Sequence, residues 1–170
     1  MLKIAKLFIL SILFISCSNN KDSVDVIDNG NHPNLILTSQ AVSEIKSQLG
    51  AIPIFDETLA LAKEEVNAAI EKGIDVPMPK DMAGGYTHTQ HKLNYANMQK
   101  AGVLFQLLED EKYAIFLRDM LLEYAKIFPT FDTHPEPRSY ATGKFFWQCL
   151  NDSNWLVYTS QAYDCIYDWL

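Results

Sequence analysis

Polar side chains recur at helical spacing near the C-terminal end of the sequence. Lys144, Gln148 and Asn151 follow one another at intervals of three or four residues, and Asn154 continues the series. A helix would place them on one face. An amide offers both a hydrogen-bond donor and an acceptor, which suits sugar hydroxyls. The spacing alone favours two interpretations equally: a strip of amides that binds carbohydrate, or a break in a helix at which Asn151, Asp152 and Asn154 act as caps.

A second polar cluster, residues 84–92, lies at the predicted entrance of another helix and contains Tyr86, His88 and His91. Helix entrances attract anions through free backbone N–H groups and the helix dipole, so this cluster suits a carboxylate ligand. The two histidines are three residues apart and could chelate a metal. No carboxylate or thiol stands beside them in the sequence to complete such a site, and we therefore expect no metal and no other cofactor.

The charge distribution is uneven. The formal net charge of −7 argues against binding to nucleic acid or another anionic polymer. However, residues 82–108 and 137–150 contain no Asp or Glu, and they carry lysines such as Lys92 and Lys144 together with Arg138. These two segments could line a positively charged cleft on an otherwise acidic protein, and uneven charge by chance is the alternative.

Other common catalytic patterns find no support in the sequence. There is no nucleophile motif, no glycine loop that could hold a phosphate, and no close pair of carboxylates of the kind used in glycoside hydrolysis. The tyrosines, among them Tyr113, Tyr124 and Tyr163, are explained mostly as core or groove filling.

Apolar residues recur at helical period along most of the chain and predict an all-α fold. The predicted helices lie at about residues 39–49, 55–72, 89–108, 111–127 and 145–170, the last with a break near 151–153. The Glu109-Asp110 turn is short, so the helices on either side of it should be antiparallel. The last helix reaches Leu170 without a capping signal, and we therefore expect the sequence to be a piece of a longer protein.

The N-terminus has the pattern of an exported lipoprotein. Lys3 and Lys6 precede an apolar run at residues 7–15, which is shorter than the roughly 20 residues of a membrane span, and Ser16-Cys17 follows. We expect residues 1–17 to be a signal peptide and Cys17 to be lipidated, which places the protein in the periplasm or on the outer membrane. An ordinary cleaved signal peptide is the alternative. Residues 18–31 are polar and should form a disordered tether to a folded domain at residues 32–170.

The two remaining cysteines, Cys149 and Cys165, fall in one predicted helix and are sixteen positions apart. A straight helix would separate them by about 24 Å at 1.5 Å per residue, too far for a disulfide. We expect two buried free thiols.

Several longer runs resemble a known family. They are residues 32–35, 84–88 with His91-Lys92 and Asn94-Tyr95, 118–125, and 143–152 leading into Asn154-Trp155 and 160–164. These runs are similar to the N-terminal part of polysaccharide lyase family 17, the oligoalginate lyases, which are related in architecture to the heparinase II/III lyases. The resemblance covers nearly everything after residue 31.

The resemblance implies an (α/α) toroid of antiparallel helical hairpins, truncated here before the remaining toroid and a β-sandwich. It also implies β-elimination at uronic acids, an elimination step that needs no redox cofactor or metal. In that family the neutralising Asn-His pair and the catalytic Tyr lie in later helices and beyond, so we expect no catalytic residue in this chain and no activity from it alone. Asn31-His32 precedes the first helix and is not assigned that role.

On this interpretation the chain contributes part of the groove for an acidic, alginate-type polysaccharide. The substrate-binding candidates are Lys144, Gln148, Asn151 and Asn154, with Tyr86, His88 and His91 as further candidates. A non-catalytic surface lipoprotein that binds glycans is one alternative, and a scaffold of helical hairpins without a sugar ligand is another.

Overall fold

The computed structural model describes residues 30–136 and 141–170, and in these ranges the protein is all-helical, without strands. The α-helices are α1 (Ser39–Gln48), α2 (Pro53–Lys72), α3 (Tyr86–Leu108), α4 (Glu111–Ile127) and α5 (Cys149–Ile166). Short 3₁₀ turns follow α4 at Phe128–Thr130 and α5 at Tyr167–Trp169. The predicted all-α fold is confirmed, and its arrangement fits a fragment of a helical toroid.

The described residues include all of the predicted helices but not the predicted signal peptide. None of the helices in residues 30–136 and 141–170 is long and apolar enough to cross a membrane. The predicted signal peptide, Cys17 and nearly all of the tether lie outside the described residues, as does Arg138.

Local chemistry explains most helix ends. The Thr38 hydroxyl accepts a hydrogen bond from the N–H of Ala41 at 3.1 Å and so caps α1; the sequence left Thr38 and Ser39 open as the capping residue. α2 begins at Pro53, two residues before the predicted start, because proline suits a first helical position, where its missing N–H costs nothing. The helix ends at Gly73, whose φ of +84° favours glycine.

The starts of α3 and α5 differ from the prediction. α3 begins at Tyr86 rather than Thr89, directly after the glycine pair that indicated a loop. α5 begins at Cys149 rather than Phe145, and it continues without a break through residues 151–153, where a break was predicted. In both cases an aspartate near the helix start organises the adjoining backbone, as described below for the candidate site.

The helices α3 and α4 form the predicted antiparallel hairpin. Glu109, with a φ of 57°, and Asp110 make the turn, and the Asp110 carboxylate accepts a hydrogen bond from the N–H of Lys112 at 3.2 Å. α5 packs beside α3 in the same direction, since the Tyr95 and Tyr158 rings are 4.7 Å apart and Gln106 donates a hydrogen bond to the Cys165 carbonyl further along both helices.

The core lies between α3, α4 and α5, with α2 against one side. The fully buried residues include Met98 and Leu104 of α3, Leu117 of α4, Ile166 of α5 and Val66 of α2. Each such side chain stabilises the fold by about 1.5–3 kcal/mol through removal of apolar surface from water. α3 and α5 approach closely at Gly102, where an added Cβ would lie 2.9 Å from the Cβ of Cys165.

Both cysteines in α5 are free, as predicted, but only Cys165 is buried. The prediction of two buried thiols is wrong for Cys149, because it lies in the exposed first turn of the helix. Burial raises the pKa of the Cys165 thiol to about 12, so this thiol is protonated at neutral pH.

The bundle has two distinct ends. α2 runs antiparallel to α3, since Lys72 at the end of α2 contacts Gln90 near the start of α3 at 3.0 Å. α4 runs antiparallel to α5, since the Tyr124 and Trp155 rings are 5.0 Å apart and Arg118 lies over Trp169. We call the end that holds the N-termini of α3 and α5 the loop end, and the opposite end the anchor end.

The segment before α1 is attached at the anchor end through Asp164 of α5. This carboxylate is 4% exposed and accepts hydrogen bonds from the Asn34 N–H at 2.7 Å and the Leu35 N–H at 2.8 Å. It also lies 2.5 Å from Nδ1 of His32. The run at residues 32–35 therefore has a structural role: it wraps around one buried carboxylate.

We expect Asp164→Ala to lower the free energy of unfolding by about 2–4 kcal/mol, because it removes a buried acceptor shared by several part-buried donors. The matched control is Asp168→Ala, since Asp168 is exposed and accepts a hydrogen bond from the N–H of His32 at 2.9 Å. Asp168→Ala should lower the free energy of unfolding by less than about 1 kcal/mol. Denaturant unfolding measures both, and equal losses would contradict this role for Asp164.

Candidate functional site

Two segments of the chain meet at the loop end: residues 81–88, which lead into α3, and residues 141–148, which lead into α5. The His88 ring packs edge-on against Phe146 with centroids 5.0 Å apart, and the His91 ring lies 5.4 Å from Phe145. Parts of the two acid-free stretches of the sequence are therefore adjacent in space.

The first segment is organised by Asp81. Its carboxylate accepts hydrogen bonds from the N–H groups of Thr87 at 3.1 Å and His88 at 3.0 Å, and from the Thr87 hydroxyl at 2.5 Å. Burial opposes ionisation of Asp81, but these hydrogen bonds outweigh it and lower its pKa to about 2. A side chain at Gly85 would overlap this carboxylate. The early start of α3 follows, because Asp81 satisfies N–H groups of its first turn.

The second segment is organised by Asp152, which lies in the first turns of α5 and reaches back. Its carboxylate accepts hydrogen bonds from the N–H groups of Lys144 at 2.5 Å and Phe146 at 3.0 Å. Burial raises the pKa of Asp152, and the backbone hydrogen bonds oppose that rise. An added Cβ at Gly143 would lie 2.5 Å from this carboxylate. The backbone N–H groups of residues 144–146 are used here, so these residues do not form the predicted helix.

Two buried phenylalanines hold the second segment against the core. Phe145 packs against Trp155 with centroids 4.6 Å apart and against Tyr124 at 5.3 Å, and Phe146 is fully buried. Lys144, directly before this pair, and Gln148, two residues after it, stay half-buried at the surface.

The prediction that Lys144, Gln148, Asn151 and Asn154 lie on one helix is wrong. Lys144 and Gln148 precede α5, while Asn151 lies in its first turn and Asn154 one turn later. Gln148 and Asn151 are joined directly, since the Asn151 N–H donates to the Gln148 carbonyl at 3.0 Å, and Lys144 is joined to the same helix start through Asp152. Lys144, Gln148 and Asn151 are half-buried and Asn154 is exposed, so none is sealed inside the core.

Lys144 lines a shallow cavity of about 180 Å³ between three loops. Its ammonium lies 4.6 Å from the centre of the Phe128 ring, a cation–π contact that steadies a flexible side chain. The other side chains around the cavity include Met78, Pro79 and His134. His134 was not among the candidates indicated by the sequence; it is 2% exposed, and its Nδ1 accepts a hydrogen bond from the Glu136 N–H at 3.1 Å.

The further candidates from the first segment differ in accessibility. Tyr86 is 56% exposed, and its hydroxyl donates to the Asp75 carboxylate, which raises the pKa of Tyr86. His88 is 5% exposed and His91 is 0% exposed, so neither ring offers a surface to a ligand in this structure. Burial lowers the pKa of both imidazoles, and at neutral pH they are uncharged packing groups.

A buried polar network beneath the loops was not identified from the sequence. The Tyr124 hydroxyl lies 2.9 Å from Nδ1 of His91 and accepts a hydrogen bond from the Asn94 side chain at 3.0 Å. Asn94 also donates to the Asp75 carbonyl and accepts from Gln90, both at 2.8 Å. Burial raises the pKa of Tyr124, so its hydroxyl stays protonated. The spacing of Gln90, His91 and Asn94 on one helix was the available signal.

Within residues 30–136 and 141–170, no group of three or more His, Cys, Asp or Glu side chains is placed to hold a metal ion. The polar groups of the loop end include amides, lysines, and the two aspartates bound to backbone N–H groups. Two further carboxylates lie there: Asp75, bound to the Tyr86 hydroxyl, and Asp132, which lines the same cavity as Lys144. The amides can form hydrogen bonds to hydroxyls, and the lysines attract a negative charge.

Comparison with known proteins finds two relatives. The chain is 45% identical over 148 residues to a protein of Saccharophagus degradans named exo-oligoalginate lyase, a stretch that covers 87% of this chain. It is 42% identical over 134 residues, 79% of this chain, to a protein of Stenotrophomonas maltophilia named alginate lyase. The matched stretches make up 20% and 18% of the two relatives, so the chain spans about a fifth of their length. No protein-family model matches the chain. The two relatives support an assignment to an alginate lyase family.

The buried His91 should make the stability of this region depend on pH. Burial lowers its pKa from 6.5 to about 4, against a smaller opposing effect of the Pro77 carbonyl. The unfolded state therefore gains a proton first as the pH falls, so stability is at its full value above pH 6.5 and declines between 6.5 and 4. We expect His91→Gln, which keeps a hydrogen-bonding group but does not titrate, to reduce the loss of unfolding free energy between pH 7 and pH 5 by about 1–2 kcal/mol. Urea unfolding at both pH values measures this, and identical pH dependence in the two proteins would contradict it.

Proposed function

We propose that this chain is part of an alginate lyase of the polysaccharide lyase 17 type, and that its loop end forms one wall of the groove that holds the uronate chain. The observation that carries the proposal is the sequence identity of 42–45% to two alginate lyases over most of the chain. The resemblance of the runs at residues 84–88 and 143–152 to oligoalginate lyases supports the finer assignment.

The electrostatics of the loop end support an acidic ligand despite the net charge of −7. The carboxylates of Asp81 and Asp152 are directed at backbone N–H groups, which neutralise part of their charge. Lys144 is half-buried and lines an open cavity, and its ammonium has a cation–π contact with Phe128. A sugar carboxylate is therefore attracted to Lys144, while its hydroxyls find the amides of Gln148 and Asn151.

The proposed reaction is β-elimination at a uronic acid. Polar groups neutralise the uronate carboxylate, a base removes the proton on the adjacent carbon, and an acid protonates the leaving glycosidic oxygen. In this proposal the base and acid belong to other parts of the longer protein, while this chain binds the sugar. His91 and Tyr124 support the loops from below, since each is at most 2% exposed and they lie within hydrogen-bond distance of each other.

We also propose that the protein is exported and held at the membrane through a lipid on Cys17, in the periplasm or at the outer membrane. The support is the order of positive residues, a short apolar run and Ser16-Cys17 at the N-terminus. Residues 18–31 are the proposed tether and residues 32–170 the proposed toroid segment.

The enzymatic part of this proposal predicts that the full-length protein releases unsaturated products from oligoalginate, while residues 32–170 alone release none. The reason is that the proposed acid and base lie outside this chain. Ultraviolet absorbance of the unsaturated product measures both. Robust activity of the isolated segment would contradict the division of roles, and glycan binding without elimination by the full-length protein would favour a non-catalytic glycan-binding lipoprotein.

The binding part predicts that Lys144→Ala weakens oligoalginate binding by roughly 10- to 100-fold, because a charge-assisted hydrogen bond is worth about 1.5–3 kcal/mol. Gln148→Ala should weaken it by roughly 2- to 5-fold, as for a neutral hydrogen bond. Lys112→Ala is the matched control, since Lys112 is an exposed lysine in the first turn of α4, at the anchor end. Titration calorimetry with an inactive full-length protein measures these affinities, and equal effects of Lys144→Ala and Lys112→Ala would contradict the site.

A further inference from the structure

We propose that Asp152 is a positioning residue: its carboxylate sets the conformation of residues 143–148 and thereby directs Lys144 and Gln148 toward the sugar. This inference rests on the proposed function, because it concerns the same binding surface. It goes further by assigning the conformation of that surface to an acidic side chain that accepts hydrogen bonds from its backbone.

The geometry of the carboxylate carries the inference. One oxygen accepts the N–H of Lys144 at 2.5 Å and the other accepts the N–H of Phe146 at 3.0 Å. These two donors are two residues apart, so a single side chain fixes the backbone on both sides of Phe145. An amide side chain offers one acceptor oxygen in place of two, and its NH₂ group would face a backbone N–H. Asparagine therefore cannot reproduce the arrangement.

Neighbouring contacts further restrict the backbone conformation of residues 143–148. The carboxylate fills the space in which a side chain at position 143 would lie, since an added Cβ on Gly143 would be 2.5 Å from it. The Gly143 carbonyl accepts from the His134 N–H at 2.9 Å, and the Cys149 N–H donates to the Ala141 carbonyl at 3.0 Å. With Phe145 and Phe146 buried, the side chains of Lys144 and Gln148 are confined to the surface.

The chain supplies its own matched control in Asp81. This aspartate also accepts two backbone N–H groups at the start of a helix and also lies against a glycine, Gly85. It organises the other segment, however, and makes no hydrogen bond to residues 143–148 among those described. Replacing Asp81 therefore tests for a general loss of order at the loop end without removing the support of Lys144.

The test is a mutant cycle in the full-length protein, rendered inactive, with oligoalginate as the probe. Asp152→Asn should weaken binding about 5- to 10-fold in the native background and less than about 2-fold when Lys144→Ala and Gln148→Ala are both present, because its effect passes through these two side chains. Asp81→Asn should have the same effect in both backgrounds. Gly143→Ala, which displaces the same carboxylate without a change of charge, should also reduce the dependence of affinity on salt concentration, because the ammonium of Lys144 then contributes less to binding.

A second measurement reports on the backbone without any sugar. Amide hydrogen exchange at Lys144 and Phe146 should accelerate in Asp152→Asn at least 10-fold more than exchange in the core of α3. If Asp152→Asn fails to fold, Gly143→Ala takes its place in the cycle, since it displaces the same carboxylate without changing any charge.

The outcomes separate the two proposals. Equal weakening by Asp152→Asn with and without the side chains of Lys144 and Gln148 would overturn the positioning role and leave the proposed binding site intact. Unchanged exchange at Lys144 and Phe146 would also overturn it. If Lys144→Ala itself leaves the affinity unchanged, the proposed sugar site fails, and the positioning role fails with it.

Discussion

The parallel packing of α3 against α5 determines where every candidate residue lies. The two helices approach at Gly102, where a larger residue would meet the Cβ of Cys165 at 2.9 Å, and further contacts follow along their length. Because they run in the same direction, their N-termini come to the same end of the bundle. The two loops that precede them are therefore neighbours, although about sixty residues separate them in the sequence.

At the loop end, two aspartates fix the conformation of the loops by accepting hydrogen bonds from backbone N–H groups. Asp81 and Asp152 each accept two backbone N–H groups, and each lies against a glycine that leaves room for it. Backbone N–H groups neutralise part of their negative charge, which reduces the conflict between an acidic protein and a surface proposed to bind an acidic sugar, although Asp132 also lines the cavity beside Lys144. Charge counts along a sequence do not show this, because they treat a carboxylate bound to N–H groups as equal to a free one.

The fold was more predictable from the sequence than the site. Periodic apolar residues and terminal glycines identified the helices and the α3–α4 hairpin, because those signals are local. The predicted start of α5 was wrong because a helical spacing of residues continues through Phe145 and Phe146 in the sequence. In the structure, burial of both rings and the hydrogen bond from the Lys144 N–H to Asp152, eight residues away, hold the backbone there in a non-helical conformation. The same limitation hid the roles of His91 and Tyr124, which are 33 positions apart and meet only when α3 and α4 pack together.

The attachment of residues 32–35 to Asp164 has a consequence for how the protein would stand on a bilayer. The described chain enters the fold at the end of α5, whereas Lys144 and Gln148 lie before its start. A helix of the length of α3, 23 residues, spans about 35 Å at 1.5 Å per residue. A lipid at Cys17 would thus hold the protein by the end opposite Lys144 and Gln148, so the point of attachment itself does not cover the loops proposed to bind the sugar.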